Sequence, residues 1–221
     1  MRSWESRGDT SVLDEPLYAA YLARTGLEHP GRDEILRSQP TETSQAIAAL
    51  TAPCDTPVQY QKHMAHHVPD DADLGWMHPL QHVFLIRDPA AVLASYVRRR
   101  AQVAPEDLGF LQQWRLLTYV RDHLRQPVIV LDSADLLQDP RGELTRLCGS
   151  LKLPFDEAML RWSPGPRPSD GVWAPHWYDA VWASTGFAAP KTETPKIDRS
   201  YQPVLDALLP VWDALRSAGA P

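Results

Sequence analysis

Cysteine is nearly absent. Cys54 and Cys148 are the only two in 221 residues, too few for a disulfide framework and consistent with a reducing compartment. Long apolar runs are missing too: none approaches the roughly 18–20 residues that span a bilayer. Met1-Arg2-Ser3-Trp4-Glu5-Ser6-Arg7 lacks the apolar core of a signal peptide. The expectation is a soluble, cytoplasmic protein without a membrane partner. Positive charge is outnumbered, 22 Lys and Arg against 28 Asp and Glu, for a formal charge of −6. That excess disfavours nonspecific attraction to nucleic acid while leaving room for a local basic pocket. Glycine is sparse, 11 residues. No Gly-rich segment precedes Asp14, and Gly-x-x-x-x-Gly-Lys-Ser/Thr occurs nowhere, so no Walker-type phosphate loop is readable. His63, His66 and His67 have no carboxylate at a fixed ligand spacing, and no metal is expected.

What is present is a soluble globular composition, 43% hydrophobic and 23% charged, long enough for one domain with a real core. The counts of 21 prolines and 8 tryptophans are high, and many fall within residues 162–198, an irregular segment or lid on a single domain spanning 1–221. Thr10 to Asp14 reads as a strand, Leu17 to Arg24 as a helix stopped by Gly26, and Gly31 to Leu50 as one or two helices broken near Pro40 with Thr41 or Thr43 as cap. Val58 to Gln61 alternates as a strand should. His82 to Ile86 reads as a central strand buried on both faces, and Pro89 to Val103 as a helix. From Pro105, a long helix to Leu124 would bury Leu108, Leu111, Trp114, Leu117, Val120 and Leu124. Val128 to Leu131 is a further strand, with helices over Arg141 to Leu151 and Gln202 to Leu215. Strands alternating with helices mean an α/β fold with a mostly parallel sheet and helices on both faces.

The most informative stretch is His82-Val83-Phe84-Leu85-Ile86-Arg87-Asp88-Pro89, continuing through Val92 and Ser95 to Arg98-Arg99-Arg100. A β-branched and aromatic run stops at an arginine, and Asp88-Pro89 supplies an N-cap and a first helical residue. A cation at the mouth of a helix N-terminus suits an anion. Ser95 lies about two turns further in, with Arg99 as its i+4 neighbour.

Arg-Asp-Pro-x-x-Val-x-x-Ser-x-x-x-Arg resembles the 3′-phosphate-binding segment of sulfotransferases that use PAPS (3′-phosphoadenosine 5′-phosphosulfate). A second stretch is similar to the same family: Val128-Ile129-Val130-Leu131, then Ala134-Asp135-Leu136-Leu137-Gln138-Asp139-Pro140, and Leu153-Pro154-Phe155. Ser133-Ala134 stands where the family usually has Tyr-Glu. The resemblance implies a P-loop NTPase-like fold, PAPS as donor, no metal, and transfer of a sulfuryl group to a hydroxyl or amine on a small acceptor. It implies Arg87 and Ser95 as ligands of the 3′-phosphate. Such enzymes begin with a strand and a phosphate loop, which these residues lack; Met1-Arg2-Ser3-Trp4 looks like the helix after the loop. A truncated or degenerate member, inactive at this length, is therefore expected.

Three strand ends carry polar groups, Asp14-Glu15, Lys62-His63 and Arg87-Asp88, and ligands of doubly wound sheets bind beyond such ends. The family likeness points to Glu15 as the base that takes the acceptor's proton. Lys62-His63-Met64-Ala65-His66 loosely resembles a family Lys-x-His in which lysine steadies the sulfuryl group and histidine is the base. Lys62 and His66 form the second candidate constellation, with His63 one residue early. A compact ammonium could also neutralise charge on a leaving oxygen. In the 162–198 segment, Arg167 is a candidate ligand for nucleotide phosphates, and the tryptophans either stack on a ligand or fill the core. Two alternatives remain open: a noncatalytic nucleotide-binding or interaction module, and a kinase-like phosphoryl-transfer enzyme, the latter disfavoured without Walker lysine or magnesium ligands. Plant proteins labelled aminotransferase-like carry similar regions, yet no pyridoxal-phosphate site is readable here.

Overall fold

Alternating short strands and capped helices build the chain, in a computed structural model that describes residues 1–98, 102–190 and 195–219. The order is α1 (Arg2–Glu5), β1 (Thr10–Asp14), α2 (Tyr18–Thr25), α3 (Arg32–Ser38), α4 (Thr43–Leu50), β2 (Val58–Lys62), β3 (Val83–Ile86), α5 (Pro89–Tyr96), α6 (Phe110–Asp122), β4 (Ile129–Asp132), α7 (Ser133–Gln138), α8 (Pro140–Ser150), α9 (Ala174–Trp177), α10 (Asp179–Ala183) and α11 (Gln202–Ala218). The fold is α/β, and both strand pairs among the described residues are parallel: β1 with β2, and β3 with β4. Among those residues, no helix is long and apolar enough to cross a membrane.

The contacts divide the chain into two compact units, Met1–Ala72 with Phe155–Ala188, and Asp73–Pro154 with Ala189–Pro221. In the first, Thr10 lies opposite Val58 and Asp14 opposite Lys62, so both strands end level. The turn after β1 feeds α2, whose Tyr18, Ala19 and Leu22 pack with Ile35 of α3 and with Trp173, Ala174 and Tyr178 from the Pro/Trp-rich segment. Trp173 is 2% exposed and is core. Gly171 is needed beside it, because a Cβ at that position would overlap the Trp173 indole. Gly171→Ala is expected to destabilise this unit by about 1–3 kcal/mol, the range for overpacking, read as a lower Tm in thermal unfolding; an unchanged Tm would show that the indole moves freely.

A second core feature carries a pH dependence. His67 follows β2 on a single 3₁₀ turn, Ala65–His67, and is 3% exposed. Its ring stacks on Tyr18 at 4.7 Å and on Tyr21 at 4.5 Å. Burial holds it well below the ordinary histidine value, helped by neighbouring His66, Lys62, His29 and His63. The unfolded chain therefore takes up a proton that the folded one refuses. Stability is full above about pH 6.5 and falls below it by about 1.4 kcal/mol per pH unit until the folded ring titrates. His67→Phe keeps the stack and should flatten the acid side of the stability–pH curve by one proton, a difference measured by urea unfolding from pH 7.5 to 5.

In the second unit the paired strands β3 and β4 run in register from Val83 opposite Ile129 to Ile86 opposite Asp132. Both Asp-Pro helix starts are capped as the sequence implies: Asp88 accepts from the Ala91 N–H at 2.9 Å, and Asp139 from Gly142 at 2.9 Å. Four details differ from the sequence expectation. β3 is not buried on both faces, because its side chains alternate: Phe84 and Ile86 point inward while Val83 and Leu85 are 38% and 54% exposed. α5 ends at Tyr96 rather than continuing to Val103. The helix expected from Pro105 is a 3₁₀ turn, Pro105–Leu108, separated from α6 by Gly109 at φ 77°. That left-handed residue starts α6 afresh: Leu117 and Val120 are buried as expected, joined by Phe110 and Leu116, while Leu111 is exposed. In the first unit, α4 starts after Glu42, and neither Thr41 nor Thr43 caps it.

Candidate active site

β1 and β2 are adjacent and end level, so their last side chains meet. Lys62 closes β2 and Asp14 closes β1, with Glu15 one residue beyond. The Lys62 ammonium has three hydrogens and finds three acceptors: a Glu15 carboxylate oxygen, the Tyr178 hydroxyl at 3.0 Å and Asp14 Oδ1 at 3.2 Å. Tyr178 has a single hydrogen, and its hydroxyl stands 2.6 and 2.8 Å from the two Asp14 oxygens. The direction is therefore fixed: Lys62 donates to Tyr178, and Tyr178 donates to Asp14. The Gly171 N–H adds a third donor to Asp14 at 3.3 Å.

Glu15 is the strained member. Its φ is +41°, a region that costs a side-chain-bearing residue about 1–3 kcal/mol and persists only where surroundings enforce it. Here the Glu15 N–H donates to the Lys62 carbonyl at 2.8 Å, and its carbonyl accepts from the Tyr18 N–H at 3.0 Å and Gln39 Nε2 at 3.2 Å. The other end of the Gln39 amide accepts from the Ala19 N–H at 3.1 Å, so one side chain clips the turn to α2. Strain held this way places the carboxylate at the strand end instead of in solvent.

The electrostatics separate the groups. Burial lifts the Glu15 carboxyl above its ordinary range; Lys62 pulls against this and the Asp14 charge adds to it. Burial alone would loosen the Lys62 proton, but the Glu15 and Asp14 carboxylates outweigh it and hold the ammonium protonated. Burial also raises Tyr178, with Asp14 adding and Lys62 opposing, so the phenol stays neutral. Two carboxylates share one ammonium, and burial gives Glu15 the raised proton affinity of a proton acceptor.

Glu15 and Lys62, candidates from separate sequence arguments, are thus brought together. His66 is not one of the three Lys62 acceptors; it packs edge-on against Tyr21 at 5.4 Å and His67 at 4.7 Å. Arg167 pairs with Glu5 at 3.1 Å. That pair belongs to a clasp in which Arg2 meets Asp170 at 2.8 Å and the Gly165 carbonyl at 3.2 Å, Ser169 donates to Glu5, and the Trp182 indole N–H meets Asp170 at 2.9 Å. In the second unit, Arg87 directly follows β3 and is exposed, as is Ser95 on α5. Among the described residues no carboxylate pairs with Arg87. Arg99 lies outside the described residues. Also among the described residues, no three His, Cys, Asp or Glu side chains are grouped to hold a metal ion. Sequence reasoning missed Tyr178, Gln39 and the clamp on Asp14. The Asp14-Glu15 doublet at a strand end was a usable signal for Asp14; the tyrosine had none beyond its aromatic surroundings.

Comparison with known proteins adds the family. The sequence profile described as "Sulfotransferase domain" matches residues 1–219. Branched-chain-amino-acid aminotransferase-like protein 1 of Arabidopsis thaliana is 34% identical over 220 residues, covering 98% of this chain and 39% of that protein. Branched-chain-amino-acid aminotransferase-like protein 2 of the same plant is 32% identical over 219 residues, covering 98% and 38%. The chain thus spans about two-fifths of the length of these curated relatives. Among solved structures, a sulfotransferase domain from the curacin biosynthetic pathway matches with a TM-score of 0.46 and 18% identity, covering 91% of this chain and 77% of that one.

Proposed function

The chain belongs to the sulfotransferase domain family, and from that premise we propose that its residues serve transfer of a sulfuryl group from PAPS to a hydroxyl or amine of a small acceptor, a reaction that also requires the phosphate loop not found in residues 1–221. The observation that carries this reading is Glu15, a buried, backbone-strained carboxylate with raised proton affinity beside a protonated Lys62. Transfer breaks the bond between the sulfuryl sulfur and the oxygen of the departing PAP (3′-phosphoadenosine 5′-phosphate) and forms a bond from sulfur to the acceptor oxygen or nitrogen. The acceptor's proton must leave as that bond forms, and Glu15 is the group built to take it. Lys62 fixes the carboxylate's position.

The donor's 3′-phosphate is assigned to Arg87 and Ser95. An exposed arginine without a carboxylate partner among the described residues, next to a capped helix start, fits a phosphate dianion. The aminotransferase label of the plant relatives does not enter this reading: the chain spans about two-fifths of their length, and Lys62 is spent on two carboxylates and a phenol. Isothermal calorimetry on the chain tests the donor. PAP should bind at least tenfold tighter than AMP, because only PAP carries the 3′-phosphate; equal affinities would overturn the assignment.

A further inference from the structure

Of the two neighbouring carboxylates, only Glu15 is needed as a base, yet Asp14 is the more elaborately held. Its side chain is 1% exposed. Three donors converge on it, the Tyr178 hydroxyl, the Gly171 N–H and the Lys62 ammonium. Two of those come from the Pro/Trp-rich segment, more than 150 residues along the chain: the Tyr178 contact spans 164 positions and the Gly171 contact 157. Both of its oxygens are used, Oδ1 by Lys62 and Oδ2 by Gly171 with the Tyr178 hydroxyl between them, an arrangement that a carboxylate can accept and an amide, with one oxygen, cannot. We propose that Asp14 is a positioning residue for the proton transfer assigned to Glu15: clamped by Tyr178 and Gly171, it holds Lys62 against Glu15 and places a second carboxylate beside the one that takes the proton.

The physical reason is like-charge proximity. An anion beside a second carboxylate makes that carboxylate hold a proton more tightly, and Asp14 acts on Glu15 in that sense. Burial is the main cause of the raised proton affinity of Glu15; Lys62 opposes it and Asp14 offsets part of that opposition. The charged groups that act on Glu15 are Lys62 from β2 and Asp14 from β1; Tyr60 on β2 and Tyr178 before α10 face the same lysine and aspartate, and His67 on the turn after β2 feels the lysine. Asp14 is the anion among them that adjoins Glu15 directly. The proton-transfer part of this inference rests on the sulfotransferase reading; the charge coupling does not.

The test is a carbon-13 NMR titration of the Glu15 side-chain carboxyl in the chain, its resonance assigned by its loss in Glu15→Gln. Asp14→Asn keeps one oxygen that can accept from Tyr178 while removing the charge and the second acceptor oxygen, and the Glu15 midpoint should move acid-ward by about one pH unit, the scale of a close like-charge effect. Tyr178→Phe loosens the clamp but keeps the charge, and should move the midpoint less than half as far. An unmoved midpoint in Asp14→Asn overturns the proposal. So does an equal shift in Tyr178→Phe, which would make packing rather than charge the cause. In the full-length protein, the acid limb of kcat/KM should move with the Glu15 midpoint. A shifted midpoint with an unmoved limb would keep the coupling and overturn Glu15 as the base.

Discussion

Arg87→Ala is expected to erase most of the preference for PAP over AMP, a loss of about 1.5–3 kcal/mol, the usual range for a hydrogen bond to a charged group. That is roughly a tenfold to hundredfold change in Kd for PAP, with AMP affinity nearly unmoved. The argument starts from the strand. Val83 to Ile86 is extended and ends at Arg87, and Asp88 caps the helix that follows through the Ala91 N–H. The arginine is therefore delivered to the surface by rigid elements on both sides. It is exposed and has no carboxylate partner among the described residues, so an incoming phosphate displaces water rather than a resident anion. Arg87→Lys should retain part of the preference, because an ammonium keeps the charge and loses the planar two-pronged geometry. Calorimetry at two salt concentrations completes the test: the PAP advantage should shrink at high salt, as expected of an exposed charge contact. A preference unaltered in Arg87→Ala would place the 3′-phosphate elsewhere.

How much of this was legible in the sequence depends on the distance over which each feature is decided. β1 was readable to the residue, because Thr-Ser-Val-Leu-Asp is bounded by Gly8 and Pro16. Both Asp-Pro helix starts were readable for the same local reason. Glu15 and Lys62 were readable as strand-end groups, and parallel pairing then brought them together, as level strand ends must. The Gly109 break was visible as a glycine, but its left-handed conformation was not. After that residue the first turn of α6 buries Phe110 in place of Leu111, while Leu117 and Val120 are buried as expected. The open face of β3 also escaped, since an apolar run of four looks the same whether one side or two are covered. Tyr178 was out of reach. It stands 116 positions from Lys62 and 164 from Asp14, and nothing in its own neighbourhood distinguishes a phenol aimed at a carboxylate from one packed in the core. Its segment does both: Trp173 fills the core while Tyr178 reaches the strand ends.

Glu15→Gln should leave the fold and PAP binding intact and lower turnover about a hundredfold or more, within the range for loss of a general base. The substitution removes the proton acceptor but keeps an oxygen that can take the Lys62 hydrogen bond, so a fall in kcat without a fall in Tm is the signature. Stability has one small opposing term: a neutral amide no longer pairs with Lys62, yet Lys62 still has Asp14 and Tyr178 as acceptors. His66→Ala should cost turnover far less, because His66 rests edge-on against Tyr21 and His67 while Glu15 is the partner of Lys62 at the strand ends. The pH dependence has a definite sign. A base must be ionised to accept a proton, and burial raises Glu15 above its ordinary range, so activity is full at high pH and is lost as pH falls through that raised value. In Glu15→Gln this acid limb should disappear from whatever activity remains. Steady-state rates and melting curves for the two variants in the full-length protein separate the outcomes. Full activity in Glu15→Gln with none in His66→Ala would make histidine the base. A lowered Tm with proportionate loss of all activity would make Glu15 structural, and the absence of turnover from PAPS in the unsubstituted protein would overturn the proposed function itself.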